Sequence, residues 1–236
     1  MARGLRCTVA GVVLALSVGS CHNTDAPGHG ACGTVAFLFQ IELDRRVYEN
    51  SAWGDPPQMA IWLQNETDES IRTVAVTHRT GAGDWEGKVE CSVALPCWVM
   101  FYNRETTTEG PPTWDHPAPD AITCATPRAE LHTVAQVPRG THWTYFVEVN
   151  VSGDYNAHFP RLSEDGLSDR YGNGQPSVVY RGWIEAREGQ TSRPELWGRT
   201  DQHRPVDTVN TDLHEMTTAG ELLRTIAVSC AANAGD

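Results

Sequence analysis

A two-residue alternation runs through Thr34-Val35-Ala36-Phe37-Leu38-Phe39-Gln40-Ile41-Glu42-Leu43. Every second residue from Val35 onward is apolar, whereas Gln40 and Glu42 fall between them. Successive side chains of an extended chain point to opposite faces, so this period is typical of a strand with one buried face. We therefore predict a strand at 34–43 with an inner face made of Val35, Phe37, Phe39, Ile41 and Leu43.

Further short apolar stretches follow, separated by segments rich in turn residues. Glu66-Thr67-Asp68-Glu69 predicts a hairpin turn. In 141–151 the alternation predicts one buried face and one wet face. Helical periodicity is scarce, and we predict one short helix at 217–225. The further predicted strands are 58–65, 70–78, 98–102, 130–137, 141–151, 177–186 and 224–229.

This pattern predicts an all-β fold, an antiparallel immunoglobulin-like β-sandwich with long loops and one short C-terminal helix. The long loops are residues 103–127 and 152–175. Loops of this length inside a domain are usually functional or disordered, so we expect a site on one of them.

The N-terminus carries an export signal. Val18-Gly19-Ser20-Cys21 resembles the lipobox of bacterial lipoprotein signal peptides, and it follows an apolar run too short to span a bilayer. We predict a signal peptide at 1–20, lipidation at Cys21, a flexible tether at 21–33 and a single domain at 34–236. The alternative is an ordinary secretory signal. Either signal places the protein outside the cytoplasm, and the lipobox places it on a membrane of the bacterial cell envelope.

The chain is acidic, with 18 Lys and Arg against 30 Asp and Glu and a formal net charge of −12. Removal of the signal peptide takes away Arg3 and Arg6 and lowers this charge to −14. Binding to phosphate backbones depends on Lys and Arg, so nucleic acid is not an expected partner.

Five cysteines remain in the predicted mature domain, so one of them must lack an internal partner. We expect one disulfide between Cys32 and Cys230 and a second among Cys91, Cys97 and Cys124. A thiol or copper site is the alternative, although the sequence has no Cys-x-x-Cys motif.

The loop at 152–175 is rich in Asp, Asn and Gly. Calcium takes six to eight oxygen ligands, and carboxylate and amide side chains supply them. We predict a calcium site formed by Asp154, Asn156 and Asp165, with an ordinary solvated loop as the alternative.

Eight tryptophans are present. Three in predicted strands are expected in the core, namely Trp98, Trp143 and Trp183. Four in predicted loops could stack on a sugar or partner protein or could cap the sandwich, namely Trp53, Trp85, Trp114 and Trp197. We predict that Trp114 and Tyr155 contact a ligand or partner.

Several fragments carry a family resemblance over residues 34–229. They are Pro57-Gln58-Met59-Ala60-Ile61-Trp62, Arg72-Thr73-Val74-Ala75-Val76-Thr77, Leu95-Pro96-Cys97-Trp98, Asp120-Ala121-Ile122-Thr123-Cys124-Ala125-Thr126-Pro127, Glu148-Val149-Asn150-Val151-Ser152-Gly153-Asp154-Tyr155-Asn156 and Gly174-Gln175-Pro176-Ser177-Val178-Val179-Tyr180. Together they resemble an uncharacterised family of bacterial periplasmic proteins, similar to the immunoglobulin-like domain of the flagellar hook-cap protein. The resemblance implies that fold and no activity. The chain departs from the family pattern at Cys97 and Cys124, which suggests an additional disulfide.

Known catalytic signatures are missing. His214-Glu215 begins like a zinc-protease helix, but Thr218 stands where the second histidine would be, and no Gly-x-Ser-x-Gly elbow occurs. We therefore expect a non-enzymatic envelope protein, anchored to the membrane by lipid, that binds an envelope protein, a glycan or a small ligand. The alternatives are a metal-assisted envelope hydrolase that uses Asp154 in the loop 152–175, and an accessory protein for export or redox assembly.

Overall fold

The computed structural model describes residues 33–87, 91, 93–162, 166, 169, 171–201 and 207–233. The predicted signal peptide, the lipidation site Cys21 and the tether up to Cys32 lie outside these ranges, as does Asp165. Within them the chain is mostly β, with ten strands in two sheets.

The first sheet has four strands in the order β5-β1-β10-β8. All its neighbours are antiparallel. The strands are β1 (Thr34–Leu43), β5 (Glu130–Pro138), β8 (Thr191–Ser192) and β10 (Leu223–Ala232).

The second sheet has six strands in the order β4-β3-β2-β6-β7-β9. Its neighbours are antiparallel except for the two-residue pairing of β3 with β4. The strands are β2 (Gln58–Asn65), β3 (Ile71–Thr77), β4 (Thr123–Cys124), β6 (His142–Asn150), β7 (Val178–Glu185) and β9 (Glu195–Arg199). The predicted hairpin joins β2 to β3, and the Ser70 carbonyl accepts from the Asn65 amide at 2.9 Å.

The helices of the described chain are short. They are α1 (Arg45–Glu49), α2 (His78–Ala82) and α3 (Pro96–Thr106), with 3-10 turns at Asp120–Ile122 and Thr218–Glu221. None of the helices in these ranges is long and apolar enough to cross a membrane.

The main core lies between the two sheets. The predicted inner face of β1 is fully buried there against alternate residues of β2, β6 and β7. Phe39 and Tyr145 meet edge to face, with ring centroids 5.9 Å apart. The prediction of two packed sheets with these inward side chains is confirmed.

A second core lies on the other face of the six-stranded sheet, where α3 packs over β2 and β3. Trp62 stacks on Phe146 with centroids 5.1 Å apart, and Phe101 of α3 packs against both rings. The predicted wet face of 141–151 is correct at His142, which is exposed. It is wrong at Glu148 and Asn150, which are buried, and Phe146 and Glu148 lie under this helical layer.

Two predicted elements differ in the structure. The predicted strand at 98–102 lies in α3, because Pro96 takes the first helical position and Trp98, Phe101 and Tyr102 recur at helical spacing on its buried face. The predicted helix at 217–225 is a single 3-10 turn, since β10 already begins at Leu223 and pairs with β1.

Candidate functional site

A cleft of about 540 Å³ opens between two surface loops. One wall is residues 83–86, directly after α2, and the other is residues 111–115, inside the long loop that the sequence marked as a place for a site. All nine residues that line the cleft belong to these two segments. The cleft has the size of a small-molecule pocket.

The two walls are held against each other by backbone contacts. Gly83 ends α2 in the left-handed region at φ 61°, and a Cβ there would lie 2.5 Å from the Thr113 carbonyl carbon. Glycine is required by both the conformation and the close approach. The Ala118 amide also donates to the Gly81 carbonyl at 2.7 Å. A bridge between Thr113 and His116 tightens the second wall. The shape of the cleft is therefore fixed by the fold.

Two tryptophans face this cleft. Trp114 is 70% exposed, whereas Trp85 is half-buried and also borders a small neighbouring cavity with Trp53. Exposed indole surface at a cavity is typical of a binding site. The structure exposes Trp114 at this cleft, and its predicted contact with a ligand or partner stays a prediction.

The polar groups of the cleft are mostly acceptors. Asp84, Glu86 and Asp115 supply three carboxylates, and no Lys or Arg is among the nine lining residues. His78 lies beside one of these carboxylates, with its Nε2 3.3 Å from Asp84 Oδ2. Side-chain donors are limited to the two indole N–H groups and the Thr113 hydroxyl. The cleft is thus aromatic, acidic and poor in donors.

Trp53 has a structural role. Its ring lies on the backbone of Gly153 and Gly172, and a Cβ at residue 172 would overlap the ring. The Gly153 amide donates to the Gly172 carbonyl at 2.7 Å, and the Ala52 amide donates to the Gly153 carbonyl at 3.0 Å. Of the two expectations for this tryptophan, contact with a ligand or a cap on the sandwich, this packing agrees with the cap.

Asp154, the first residue of the predicted calcium site, is buried and accepts hydrogen bonds from protein groups. Gln175 Nε2 donates to one carboxylate oxygen at 2.7 Å, and the Thr218 hydroxyl lies 2.6 and 2.7 Å from the two oxygens. Burial raises the pKa of this carboxyl, although the Thr218 hydrogen bond opposes the shift. Asp154 thereby joins its loop to the turn before β10.

Asn156 is also engaged by its own loop. Its Oδ1 accepts from the amides of His158 and Phe159, and its Nδ2 donates to the Glu215 carbonyl at 2.9 Å. Among the described residues no group of three or more His, Cys, Asp and Glu side chains could hold a metal ion. Asp165 lies outside those residues, so the calcium site and the hydrolase based on it stay predictions.

Tyr155, the other predicted ligand contact, is half-buried, and burial raises its pKa. It is not among the residues that line the cleft. The structure therefore does not bring Tyr155 and Trp114 together in this cavity.

The cysteines of the described chain are free thiols, so the predicted disulfide among Cys91, Cys97 and Cys124 is wrong. Cys91 and Cys97 lie in the second core, with Cys97 in α3 itself, whereas Cys124 packs against the core between the sheets. Burial raises the pKa of Cys91 to about 12 and that of Cys97 well above its usual range, which disfavours thiolate chemistry. The predicted Cys32–Cys230 bridge includes a residue outside the described ranges and stays a prediction.

The burial and location of the other tryptophans differ in part from the prediction. Trp98 and Trp143 are buried as expected, but Trp183 is 50% exposed and its expected place in the core is wrong. It lies on β7, beyond the strands that α3 covers. Trp197, expected in a loop, lies in β9. The Arg181 guanidinium lies between the two rings, 4.9 Å from the centroid of Trp183 and 4.6 Å from that of Trp197.

Glu148 is a buried acid that sequence reasoning did not single out. The amides of Trp98 and Cys97 at the start of α3 donate to its carboxylate at 2.7 and 3.3 Å, and the Ser177 hydroxyl donates at 2.6 Å. Burial raises its pKa to about 7 against these hydrogen bonds. The sequence signal available was a lone acid between Val147 and Val149 in an apolar strand.

Sequence reasoning also gave no specific role to Trp85 or to the three acids of the cleft. The two walls are about 30 residues apart in the chain, and no local pattern connects them. Comparison with known proteins adds no guide to function. The family resemblance over residues 34–229 stays a prediction, because no protein-family model, no curated protein and no solved structure matches this chain.

Proposed function

We propose that this chain is a lipid-anchored protein of the bacterial cell envelope that binds a partner or small ligand, without catalysis, in the cleft between residues 83–86 and 111–115. An immunoglobulin-like connectivity of the sandwich is part of the proposal and is supported by the sequence fragments quoted above. Lipidation at Cys21 is supported by the lipobox pattern.

The observation that carries the binding function is the exposure of Trp114 at a cleft with fixed walls. The 70% exposed indole offers apolar surface to a ligand, and burial of an aromatic ring stabilises a complex by a few kcal/mol, about 25 cal/mol per Å². The close approach at Gly83 pre-forms the cavity, so little ordering is needed on binding.

The chemistry of the cleft supports binding over catalysis. Its lining residues include three carboxylates and one threonine hydroxyl but no cysteine, serine, histidine or lysine. Carboxylates can act as nucleophiles or general bases, but in the described chain no hydrogen bond between side chains joins two of the three acids or joins one of them to Thr113. The side chains that line the cleft are suited to contacting a ligand and orienting it.

The test is a site-resolved binding assay on the full-length chain in mild detergent, with 5-fluorotryptophan in place of its eight tryptophans. The ¹⁹F resonances are assigned by single Trp→Phe substitutions. The probes are maltose, choline, N-acetyl-L-arginine methylamide and N-acetyl-L-glutamate methylamide. We expect at least one probe to shift the Trp85 and Trp114 resonances in a saturable manner and to be recovered chemically unchanged.

Trp183 is the matched control, because it is exposed on β7 and outside the cleft. Its resonance should not follow the titration, and Trp114→Ala should abolish the shift at Trp85. If none of the four probes moves Trp85 or Trp114, or if Trp183 responds equally, the cleft is not the binding site.

A further inference from the structure

We propose that the group bound in this cleft is the guanidinium of an arginine, either free or within a peptide segment. This inference rests on the proposed binding function and names its ligand class. It is carried by three features of the cleft together, which are its charge, its ratio of acceptors to donors and its aromatic walls.

The charge of the cleft requires a cation. Three carboxylates line it, and Arg79, the nearest arginine in sequence, lies 3.8 Å from Asp55. The side chains of Glu86 and Asp115 form no ion pair with any residue in the described ranges. An anionic ligand would be repelled, whereas a cation would gain attraction from all three acids.

The balance of hydrogen-bonding groups favours a ligand that only donates over a neutral sugar. Sugar hydroxyls and ring oxygens need donors as well as acceptors from the protein. Pro111 and Pro112 lack backbone N–H groups, and the side-chain donors are the two indoles and Thr113. A ligand that only donates, as a guanidinium does through five N–H groups, fits this lining.

The aromatic walls favour guanidinium over a primary ammonium. A planar guanidinium stacks on indole faces and pairs bidentately with carboxylates, whereas an ammonium is a strongly hydrated point charge. This chain already makes that contact elsewhere, since Arg181 lies within 5 Å of the centroids of Trp183 and Trp197 and beside Glu195. Trp85, Trp114 and the three acids present the same groups without an internal arginine.

The experiment titrates the full-length protein with three capped amino acids of similar size, namely the N-acetyl methylamides of L-arginine, L-citrulline and L-lysine. Citrulline keeps the shape of the arginine side chain and removes its charge. We expect arginine to shift the Trp85 and Trp114 ¹⁹F resonances, with an affinity at least about tenfold higher than that of citrulline and above that of lysine. Free L-arginine and an Ala-Arg-Ala peptide distinguish the two sources.

Glu86→Gln with Asp115→Asn is the matched variant, because both changes keep the shape of the lining and remove two charges. It should weaken arginine binding and reduce its salt dependence while citrulline binding stays the same. Thermal unfolding of the variant checks that the fold is retained.

Equal affinity for citrulline and arginine would overturn the inference. Shifts caused by maltose or choline in the absence of an arginine response would overturn it as well, yet would leave the proposed binding function standing. If no probe shifts the Trp85 or Trp114 resonance, both this inference and the proposed binding function are contradicted.

Discussion

Glu148 caps a helix that begins 52 residues before it in the chain, at Pro96. The N-cap residue of α3, Leu95, has no side-chain hydrogen bond to the helix, so the amides of Cys97 and Trp98 lack a local acceptor. Glu148 supplies both acceptors from β6 and is itself fully buried. A carboxylate at a helix N-terminus is favourable, but its removal from water is not, and burial prevails in raising the pKa to about 7.

This balance predicts a pH dependence of stability. The folded-state pKa of about 7 lies above the ordinary value of 4.5, so the protonated folded form is favoured at low pH. The stabilisation is full below about pH 4.5 and is lost as the pH rises through 7. Relative to Glu148→Gln, the free energy of unfolding of the wild type should fall by about 2–3 kcal/mol between pH 5 and pH 8. Urea unfolding at intervals across this range measures the difference.

The control for the loss of one charge is Glu109→Gln, because Glu109 is exposed after α3 and forms no ion pair with any described residue. Its unfolding curves should run parallel to those of the wild type. Parallel curves for wild type and Glu148→Gln would show that the carboxyl keeps the same pKa in the folded and unfolded states.

The role of Glu148 could not be predicted from sequence. The alternation of β6 correctly assigns it to the face opposite Tyr145 and Val147, and such a face is usually wet. The layer that covers it comes from α3, and the same rules assigned residues 98–102 of this helix to a strand. Because this helix was misassigned, the predicted environment of a distant residue was also wrong.

At the scale of elements, the indole ring of Trp53 packs between the loop after β1 and the loop after β6. Trp53 lies against Gly153 and Gly172, both of which have positive φ, and main-chain hydrogen bonds connect residues 52, 153 and 172. The loop 152–175 is thus anchored at its two ends, and the two glycines make the space that the indole occupies.

Gly172→Ala should disrupt this contact. The new methyl group overlaps the Trp53 ring and the residue must keep a φ of 61°. Overpacking and left-handed strain together should destabilise the protein by about 2–4 kcal/mol. Thermal or denaturant unfolding measures the loss.

Gly189→Ala separates the two causes. Gly189 has a φ of 80° but nothing within 4 Å of its Cβ position, so its alanine variant should lose only about 1–2 kcal/mol. Trp53→Ala in the Gly172→Ala background should cost less than the two single changes added together. An equal loss for both glycine variants would show that Trp53 makes no contribution.

Long strands were predictable from the sequence, whereas the shortest strands and α3 were not. β1, β2, β5 and β6 follow their sequence patterns within one or two residues. β9 was missed because Pro194 and Gly198 interrupt its pattern, and β4 is too short to leave one. The apolar run in α3 is ambiguous by periodicity alone, and Pro96 was the signal that favours a helix.

At the scale of the whole molecule, the lipobox predicts where the domain works. In growing bacterial cells, alkyne-palmitate should label the full-length protein, and the label should disappear with Cys21→Ser. Membrane fractionation should move the variant from the membrane pellet to the soluble fraction, because the acyl chains contribute about 0.8 kcal/mol per buried methylene.

Cys32→Ser is the matched control, since Cys32 lies 11 residues further on and outside the lipobox. It should keep both the label and the membrane location. A label that survives in Cys21→Ser, or is absent from the wild type, would favour the ordinary secretory signal.

The site was predictable only in part. The loop 103–127 and Trp114 were identified as a place for contact, because long loops and exposed aromatics carry this signal in the sequence. The opposite wall was not, because residues 83–86 follow a helix of five residues and meet Thr113 only through folding. A cleft is a property of two segments, and each segment alone resembles an ordinary turn.

The lengths of the outermost strands determine how two copies of this domain could join. Of the four outermost strands in the described chain, β4 and β8 are two residues long and β9 is five. β5, with nine residues, presents the longest row of main-chain groups, and Val134 lies exposed on it. Arg72 already donates to the Gln136 carbonyl there. Short outer strands limit strand-to-strand association, which leaves β5 as the main place for intermolecular β-pairing if the proposed lipid anchor crowds these domains on a membrane.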